Sequence, residues 1–322
     1  MLDTSPASTV GAAISLACMA PSVHNSQPWR WLVGDRTVHL YADLGRWLPA
    51  ADPQGRDMVI SCGAALHHLR VALGASGHRA LVHRLPNPAD GDHLAAVEVR
   101  EGGEPDADLG LAAAIPARRS DRRPFGSWPV PGAFVDELAG AGASHGAQVR
   151  HVDPGLRTTV LRAIREADTI QADLPGYATE LALWSGARTG ADGVPSSNLP
   201  AGPAPEGAVA RRFSPGELRV RPDDPDGAEL LIIATSSDDP LSWLRAGEAL
   251  SAVTLRAAVL GLASCPLSAP VEVAAPRALL RDAVLDGSAM PQIVLRIGWA
   301  PPGQLPRTPR RRLSEVVSML GE

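Results

Sequence analysis

The stretch Ala20-Pro21-Ser22-Val23-His24-Asn25-Ser26-Gln27-Pro28-Trp29-Arg30-Trp31 (APSVHNSQPWRW) decides how this chain is read. It sets two prolines, a run of polar side chains and two tryptophans side by side in a chain whose aromatic content is 4%. Pro21 and Ser22 end a helix that Ser8 or Thr9 caps and that runs to about Met19. Trp29 opens a strand. Between them, Asn25 and Gln27 offer donors and acceptors, a set that suits the face and edge of a planar ring. Standing alone, the same segment reads rather as a capped helix end followed by core tryptophans.

A second stretch gives the first a partner. Ala117–Phe125 (ARRSDRRPF) gathers Arg118, Arg119, Ser120, Arg122 and Arg123 around one acid, Asp121. Guanidinium forks match phosphate oxygens, and a serine hydroxyl adds a donor. Near the C-terminus, Pro306–Leu313 (PRTPRRRL) repeats the theme with Arg307, Arg310, Arg311 and Arg312. Each cluster alone reads as a solvated turn or tail. Two of them in a chain of formal net charge −5 point to a bound anion.

Composition narrows the chemistry. A chain of 322 residues with 45% hydrophobic content buries a sizeable core, as one large domain or two. Net negative charge argues against a nucleic-acid or membrane-surface partner. All 30 basic side chains are arginine, so there is no Schiff-base lysine and no Walker phosphate loop, although GC-rich coding also produces this bias. Cys18, Cys62 and Cys265 are odd in number and widely spaced, and no Cys-x-x-Cys pair occurs. Neither a disulfide framework nor a structural zinc site is expected. A reduced, cytoplasmic setting is the expectation. The apolar run 11–20 lacks the basic flank of a signal peptide, and no bilayer-spanning segment is expected. No metal site is expected: His67 and His68 are adjacent on a helix and diverge. Neither a Gly-x-Ser-x-Gly elbow nor a Rossmann glycine fingerprint is present.

Periodicity lays out two similar passages. Trp29–Val33 and Val38–Tyr41 read as strands around a turn at 34–37. Asp57–Leu73 reads as a helix, with Val59, Cys62, Leu66, Leu69 and Leu73 at helical spacing. Strands follow near 81–85 and 95–99. The second passage offers a helix at 131–140, a largely helical 158–183, a strand at 230–235, a helix at 244–260, a strand at 292–299 and a terminal helix at 313–319. One constant offset lays the two long helices over one another: Gly63 on Gly247, Ala65 on Ala249, Leu66 on Leu250 and Gly77 on Gly261. The overlay points to a tandem duplication. Residues 185–227 form a Gly/Pro-rich insertion, read equally as a lid or as a surface loop.

APSVHNSQPWRW, RRSDRRPF, GRDMVISCGAALHHLRVAL (55–73) and LRAGEALSAVTLRAAVLGLASCPLS (244–268) occur in this family-like set over nearly the whole length. The set resembles the nitroreductase-fold flavoproteins, and most of all the actinobacterial Acg-like FMN-binding proteins. The resemblance implies an α+β, nitroreductase-like fold. Two fused half-domains, 1–110 and 111–322, would form a pseudo-dimer, each with a central, mainly antiparallel sheet flanked by helices. It also implies FMN between the halves. Arg118, Arg119 and Ser120 would bind the phosphate and ribityl side, and Arg122 would approach the N1–O2 edge of the ring. Pro21, Ser22, Val23, Asn25 and Gln27 would form the ring-side wall. Arg310 and Arg312 would reach the phosphate, and the loop Ser264-Cys265-Pro266-Leu267 would pack on the ring. His24 is a substrate-contact candidate.

The second half carries AGASHGAQ (141–148) where the family's Pro-Ser-x-x-Asn would stand, and the first nineteen residues hold no arginine. One FMN per chain is therefore expected. NAD(P)H would reduce the flavin and give way to a small organic substrate, the chemistry residing in the flavin rather than in a protein acid or base. The alternative is a non-catalytic protein that sequesters FMN beneath the 185–227 segment. Fusion buries the usual dimer interface, so a monomer is expected, with further self-association open.

Overall fold

The Ser8 hydroxyl accepts a hydrogen bond from the Gly11 amide (3.0 Å) and caps α1 (Thr9–Ala17), as expected. The computed structural model describes residues 8–102, 109–186, 190–202, 211, 213, 216–220 and 226–320. Parts of the expected insertion, and residues 103–108 just before the expected boundary between halves, lie outside these. β1 (Trp29–Val33) and β2 (Thr37–Ala42) form a hairpin, α2 (Arg56–Ala75) is the first long helix, and β3 (His78–Arg84) and β4 (His93–Glu101) form a second hairpin. The next passage holds α3 (Leu109–Ala114), α4 (Gly132–Ala143), β5 (Gln148–His151), α5 (Arg157–Ala172), α6 (Tyr177–Leu183) and the short strands β6 (Ser185–Gly186) and β7 (Val194–Pro195). It continues with β8 (Glu229–Thr235), α7 (Pro240–Val259), β9 (Leu262–Leu267), α8 (Ala269–Glu272), α9 (Ala274–Ala283) and β10 (Met290–Trp299). The chain closes with α10 (Leu313–Val316) and β11 (Val317–Met319).

Two main sheets result, and the α+β class holds. The first has the order β11-β1-β2-β4-β3, antiparallel except for the parallel pair β11–β1. The second, β5-β8-β10-β9, is antiparallel throughout. Trp29 and Trp31 are fully buried in the first core, so the tryptophans of the opening stretch are packing residues. The pattern of β1 requires this: alternate residues face the core.

Between the sheets, α2 and α7 lie against each other. A Cβ on Gly63 would stand 2.1 Å from the Leu244 carbonyl oxygen, and one on Gly247 2.0 Å from that of Ile60. The offset that carries Gly63 onto Gly247 also carries Ile60 onto Leu244. The contact is therefore reciprocal, like the isologous contact of a symmetric dimer. Only glycine lets two helix backbones approach this closely.

Four expectations change. The helix across 158–183 is broken at 173–176: Pro175 lacks an amide hydrogen and Gly176 takes φ +82°, so α5 and α6 are separate. The helix expected at 313–319 lasts one turn and becomes β11, which pairs with β1 from Trp31 to Val33. The last strand of the chain thus completes the N-terminal sheet. Ser264–Leu267, expected as a loop, is part of β9; an edge strand tolerates the missing amide hydrogen of Pro266. Finally, α2 is long and apolar enough to cross a membrane by length and composition, yet most of it is buried here, with Arg56, Asp57, His67 and His68 inside. It is a core helix.

Candidate functional site

After α1 the chain turns tightly. His24, Asn25 and Gln27 all take positive φ (47°, 55° and 51°), a region that residues other than glycine rarely occupy. Hydrogen bonds hold the turn. The Ser61 hydroxyl accepts from the Val23 amide (3.1 Å), and the Ser22 hydroxyl accepts from the Gln27 amide (3.0 Å). Asn25 is the hub. Its Nδ2 donates to the carbonyls of Gly193 (2.9 Å) and Pro309 (3.1 Å), and its Oδ1 accepts from Arg310 Nη1 (2.9 Å). Gln27 donates to the Ala191 carbonyl (2.8 Å) and accepts from the Arg311 amide (2.8 Å). One short stretch therefore fastens both the insertion and the C-terminal tail.

The arginine stretch is held against β9. Ser120 bridges to Ser264, and the Asp121 amide donates to the Ser264 carbonyl (2.9 Å). Asp121 is taken by Arg123 at 2.7 Å, which also reaches the carbonyls of Pro302 and Gly303. Arg118, Arg119 and Arg122 are left without an ion pair among the described residues.

A cleft runs between the two stretches. Its wider arm encloses about 250 Å³ and is lined by Arg118, Arg119, Arg307 and Arg310, with no acidic side chain among its lining residues. Its narrower arm encloses about 80 Å³. Pro21, Ser22, Ser120 and Arg122 line both, so the arms are continuous. In the wide arm the cations are crowded. Arg118 is 5% exposed, and its Nε and Nη1 have no acceptor among the described residues; nor does Arg310 Nε. Burial, with Arg310 and Arg119 nearby, pushes Arg118 down to about 9, and burial brings Arg310 to about 10. A buried charge without a partner costs several kcal/mol, which an anion in the cleft would relieve.

The narrow arm has a different character. Cys265, Pro266 and Leu267 of β9 form one wall, and His24, Asp57 and Ser61 face the same space. Phe213, from the insertion, lies edge-on to His24 at 5.8 Å between ring centroids, with the Arg122 guanidinium 5.3 Å from its centroid. Arg211 is anchored by the Tyr177 hydroxyl (2.7 Å), the Ser268 hydroxyl (3.1 Å) and the Glu272 carboxylate. Burial, then Arg211 and Arg122, hold His24 down at about 3, so its ring is neutral.

Most expected residues meet here. Pro21, Ser22, Asn25, Arg118, Arg119, Ser120, Arg122 and Arg310 line the wide arm. Val23, His24, Cys265, Pro266 and Leu267 line the narrow one. Three do not line either. Gln27 is fully buried as a fastener, and Ser264 positions the arginine stretch. Arg312 is exposed at the start of α10, because the tail turns there to form the capped helical turn; Arg307 stands in the cleft instead. Asp57, Arg211 and Phe213 were not expected. Asp57 had a signal, an acid within the apolar pattern of α2. Arg211 and Phe213 lie in a segment with no periodicity to read.

No family model matches the chain. A protein of Mycobacterium tuberculosis strain H37Rv with the provisional name NAD(P)H nitroreductase Rv3131 is 41% identical over 319 residues, spanning 97% of this chain and 91% of that one. The acg protein of the same strain, provisionally named in the same way, is 36% identical over 318 residues, 95% of this chain and 94% of that one. Among solved structures, the FMN and NADPH-dependent nitroreductase NfnB from Sphigopyxis sp. strain HMH superposes with a TM-score of 0.42 at 20% identity, covering 66% of this chain and 99% of that one. The chain belongs to the nitroreductase family. Within that family it is one of the Acg-like proteins.

Proposed function

We propose that the cleft holds one FMN and that the protein is an NAD(P)H-driven, FMN-dependent oxidoreductase for a small organic substrate. The observation that carries this reading is the wide arm, where buried guanidinium nitrogens of Arg118 and Arg310 lack acceptors among the described residues. A phosphate monoester supplies the oxygens they need. Arg118, Arg119, Arg307 and Arg310 hold that phosphate, with Ser120 and Asn25 beside the ribityl chain. Bound FMN supplies two-electron transfer. Arg122, where the arms join, lies beside the ring and offsets the negative charge that reduction adds. Pro21, Ser22 and Val23 form one wall and Cys265–Leu267 the other. The names of the relatives favour NAD(P)H as the electron donor.

One FMN per chain is supported by the duplicated positions. The offset places Arg245 where Ser61 stands and Arg84 where Ser268 stands, so large cations replace small hydroxyls. Arg84 and Arg70 both pair with the buried Glu248, at 2.7 Å and 3.2 Å. The two duplicated helices, α2 and α7, pack on each other within one chain, which favours a monomer.

The test is anaerobic mixing of FMN-loaded protein with NADH and then NADPH. Bleaching of the flavin supports the oxidoreductase. A colourless protein that takes up no FMN overturns the reading. A second reading, FMN sequestration, is favoured by Phe213 and Arg211, which line the narrow arm. It expects a yellow protein that does not bleach until Arg211→Ala loosens the segment.

A further inference from the structure

The chain crosses from the second sheet to the first over residues 300–312, between the end of β10 and the start of α10. This segment forms no helix or strand, and none of its residues is buried or joins a hydrophobic core. Polar contacts hold it. Asn198 Nδ2 donates to the Pro306 carbonyl (2.8 Å), the Arg311 amide donates to Gln27 Oε1 (2.8 Å), and Arg311 pairs with Asp43 at 3.2 Å. Asn25 grips the segment at Pro309 and Arg310 and also lines the wide arm, so latch and cleft share a residue. Charge opposes closure. The closed segment brings Arg307 and Arg310 into the wide arm with Arg118 and Arg119, and no acidic side chain is among that arm's lining residues. Arg118 Nε and Nη1 and Arg310 Nε are buried there without acceptors among the described residues. A segment with few buried apolar contacts opens at low cost, and crowding of like charges lowers that cost further.

We propose that residues 300–312 form a strap that a bound phosphate shuts. The proposal rests on the flavin reading above for the source of that phosphate. A phosphate monoester carries a charge of about −1.5 to −2 at neutral pH. Its oxygens accept from Arg118 and Arg119 of the arginine stretch and from Arg307 and Arg310 of the strap, so one anion joins the two. Without an anion the strap swings out as a loop, tethered by β10 at one end and by the pairing of β11 with β1 at the other. An anion that binds only the closed strap draws the balance toward closure by mass action. Cofactor capture and strap closure are then one event, and FMN leaves only as fast as the strap opens. The phosphate is the trigger. Riboflavin, which has the ring and lacks the phosphate, leaves the strap open, and free inorganic phosphate, which offers the same chemistry, closes it in part.

Limited digestion of the full chain with trypsin, read by mass, tests this. The reporter is the bond after Arg311. That side chain lines neither arm of the cleft, so its protection reports closure of the strap and not masking of the guanidinium by a ligand. Cleavage there is expected to be about tenfold or more slower with saturating FMN than in the flavin-free protein, because cleavage follows the open population. Riboflavin is expected to leave it fast, and millimolar inorganic phosphate to slow it. Equal rates with and without FMN, or riboflavin protecting as well as FMN, overturn the proposal. Arg118→Met, which removes one of the crowded charges, is expected to slow cleavage of the flavin-free chain. An unchanged rate refutes the repulsion, and if this variant fails to fold, the wild-type comparison of FMN with riboflavin decides. Asp43→Asn weakens the latch outside the cleft and is expected to speed FMN release several-fold with the spectrum of bound flavin unchanged; an unaltered release rate refutes the coupling. A protein that takes up no FMN ends the flavin reading. Protection by inorganic phosphate then still sustains the strap, and its absence overturns the strap as well.

Discussion

Gly63→Ala sets two rules against each other at one position. Helix propensity favours alanine over glycine by about 1 kcal/mol. Packing opposes it. The new Cβ would lie 2.1 Å from the Leu244 carbonyl oxygen and 3.0 Å from the Gly247 Cα, all of it backbone, so no rotamer change relieves the clash. The helices must part by about 1 Å, and a gap of that order forfeits about a quarter to a half of each dispersion contact across it. Overpacking costs about 1–3 kcal/mol where side chains can yield, and backbone places this site at the upper end. The net loss is then about 2 kcal/mol, or about 5 °C in Tm. Urea denaturation measures it. Gly247→Ala meets the Ile60 carbonyl in the same way and should cost the same. The double variant should lose little more than either single one, because one displacement relieves both contacts. Gly140 in α4 is the control: an added Cβ there meets nothing within 4 Å, so Gly140→Ala gains up to about 1 kcal/mol. A stabilised Gly63→Ala, or strict additivity of the pair, refutes the reciprocal contact.

Three further outcomes are expected. Arg118→Met raises the thermal stability of the flavin-free protein, by removing a buried cation whose Nε and Nη1 have no acceptor among the described residues, and weakens FMN binding about ten- to a hundredfold in a fluorescence titration. Arg307→Ala weakens FMN binding while Arg312→Ala leaves it unchanged, since of the two only Arg307 lines the cleft; the opposite order would overturn the role given to Arg307. His24, at about 3 when folded against 6.5 unfolded, binds fewer protons in the folded chain between those values. Its contribution is complete above the unfolded value and is lost as pH falls toward 3, so His24→Asn, which tolerates the positive φ, should flatten the acid side of the stability curve by up to about 1.4 kcal/mol per pH unit. An unchanged slope would mean that His24 is solvated.

Legibility followed the range of the cause. The long helices α2 and α7 were readable because apolar spacing is local, and the Gly63–Gly247 match was written in the sequence before its contact was visible. The arginine clusters were readable as chemistry because their residue types are specific. Elements made by distant partners were not. Val317–Met319 is a strand because Trp31–Val33 lies alongside it, and nothing within those three residues says so. Gln27 offered the right atoms for a flavin edge, yet the Arg311 amide and the Ala191 carbonyl take them. Arg307 and Arg312 are equivalent by composition, and only the path of the tail separates them. The Pro175-Gly176 break was present in the sequence and was overridden by the helical composition on either side.

Duplication made two places alike, and charge satisfaction tells them apart. At one, Glu248 is fully buried and receives Arg70 and Arg84, so the charges close on one another within the protein. A buried carboxylate so paired is costly to disturb and leaves nothing for a ligand. At the other, Ser61 and Ser268 keep the side chains small, the acid of the arginine stretch is taken by Arg123, and Arg118 and Arg310 keep guanidinium nitrogens without acceptors among the described residues. A stable fold retains such a deficit where something else supplies the missing charge.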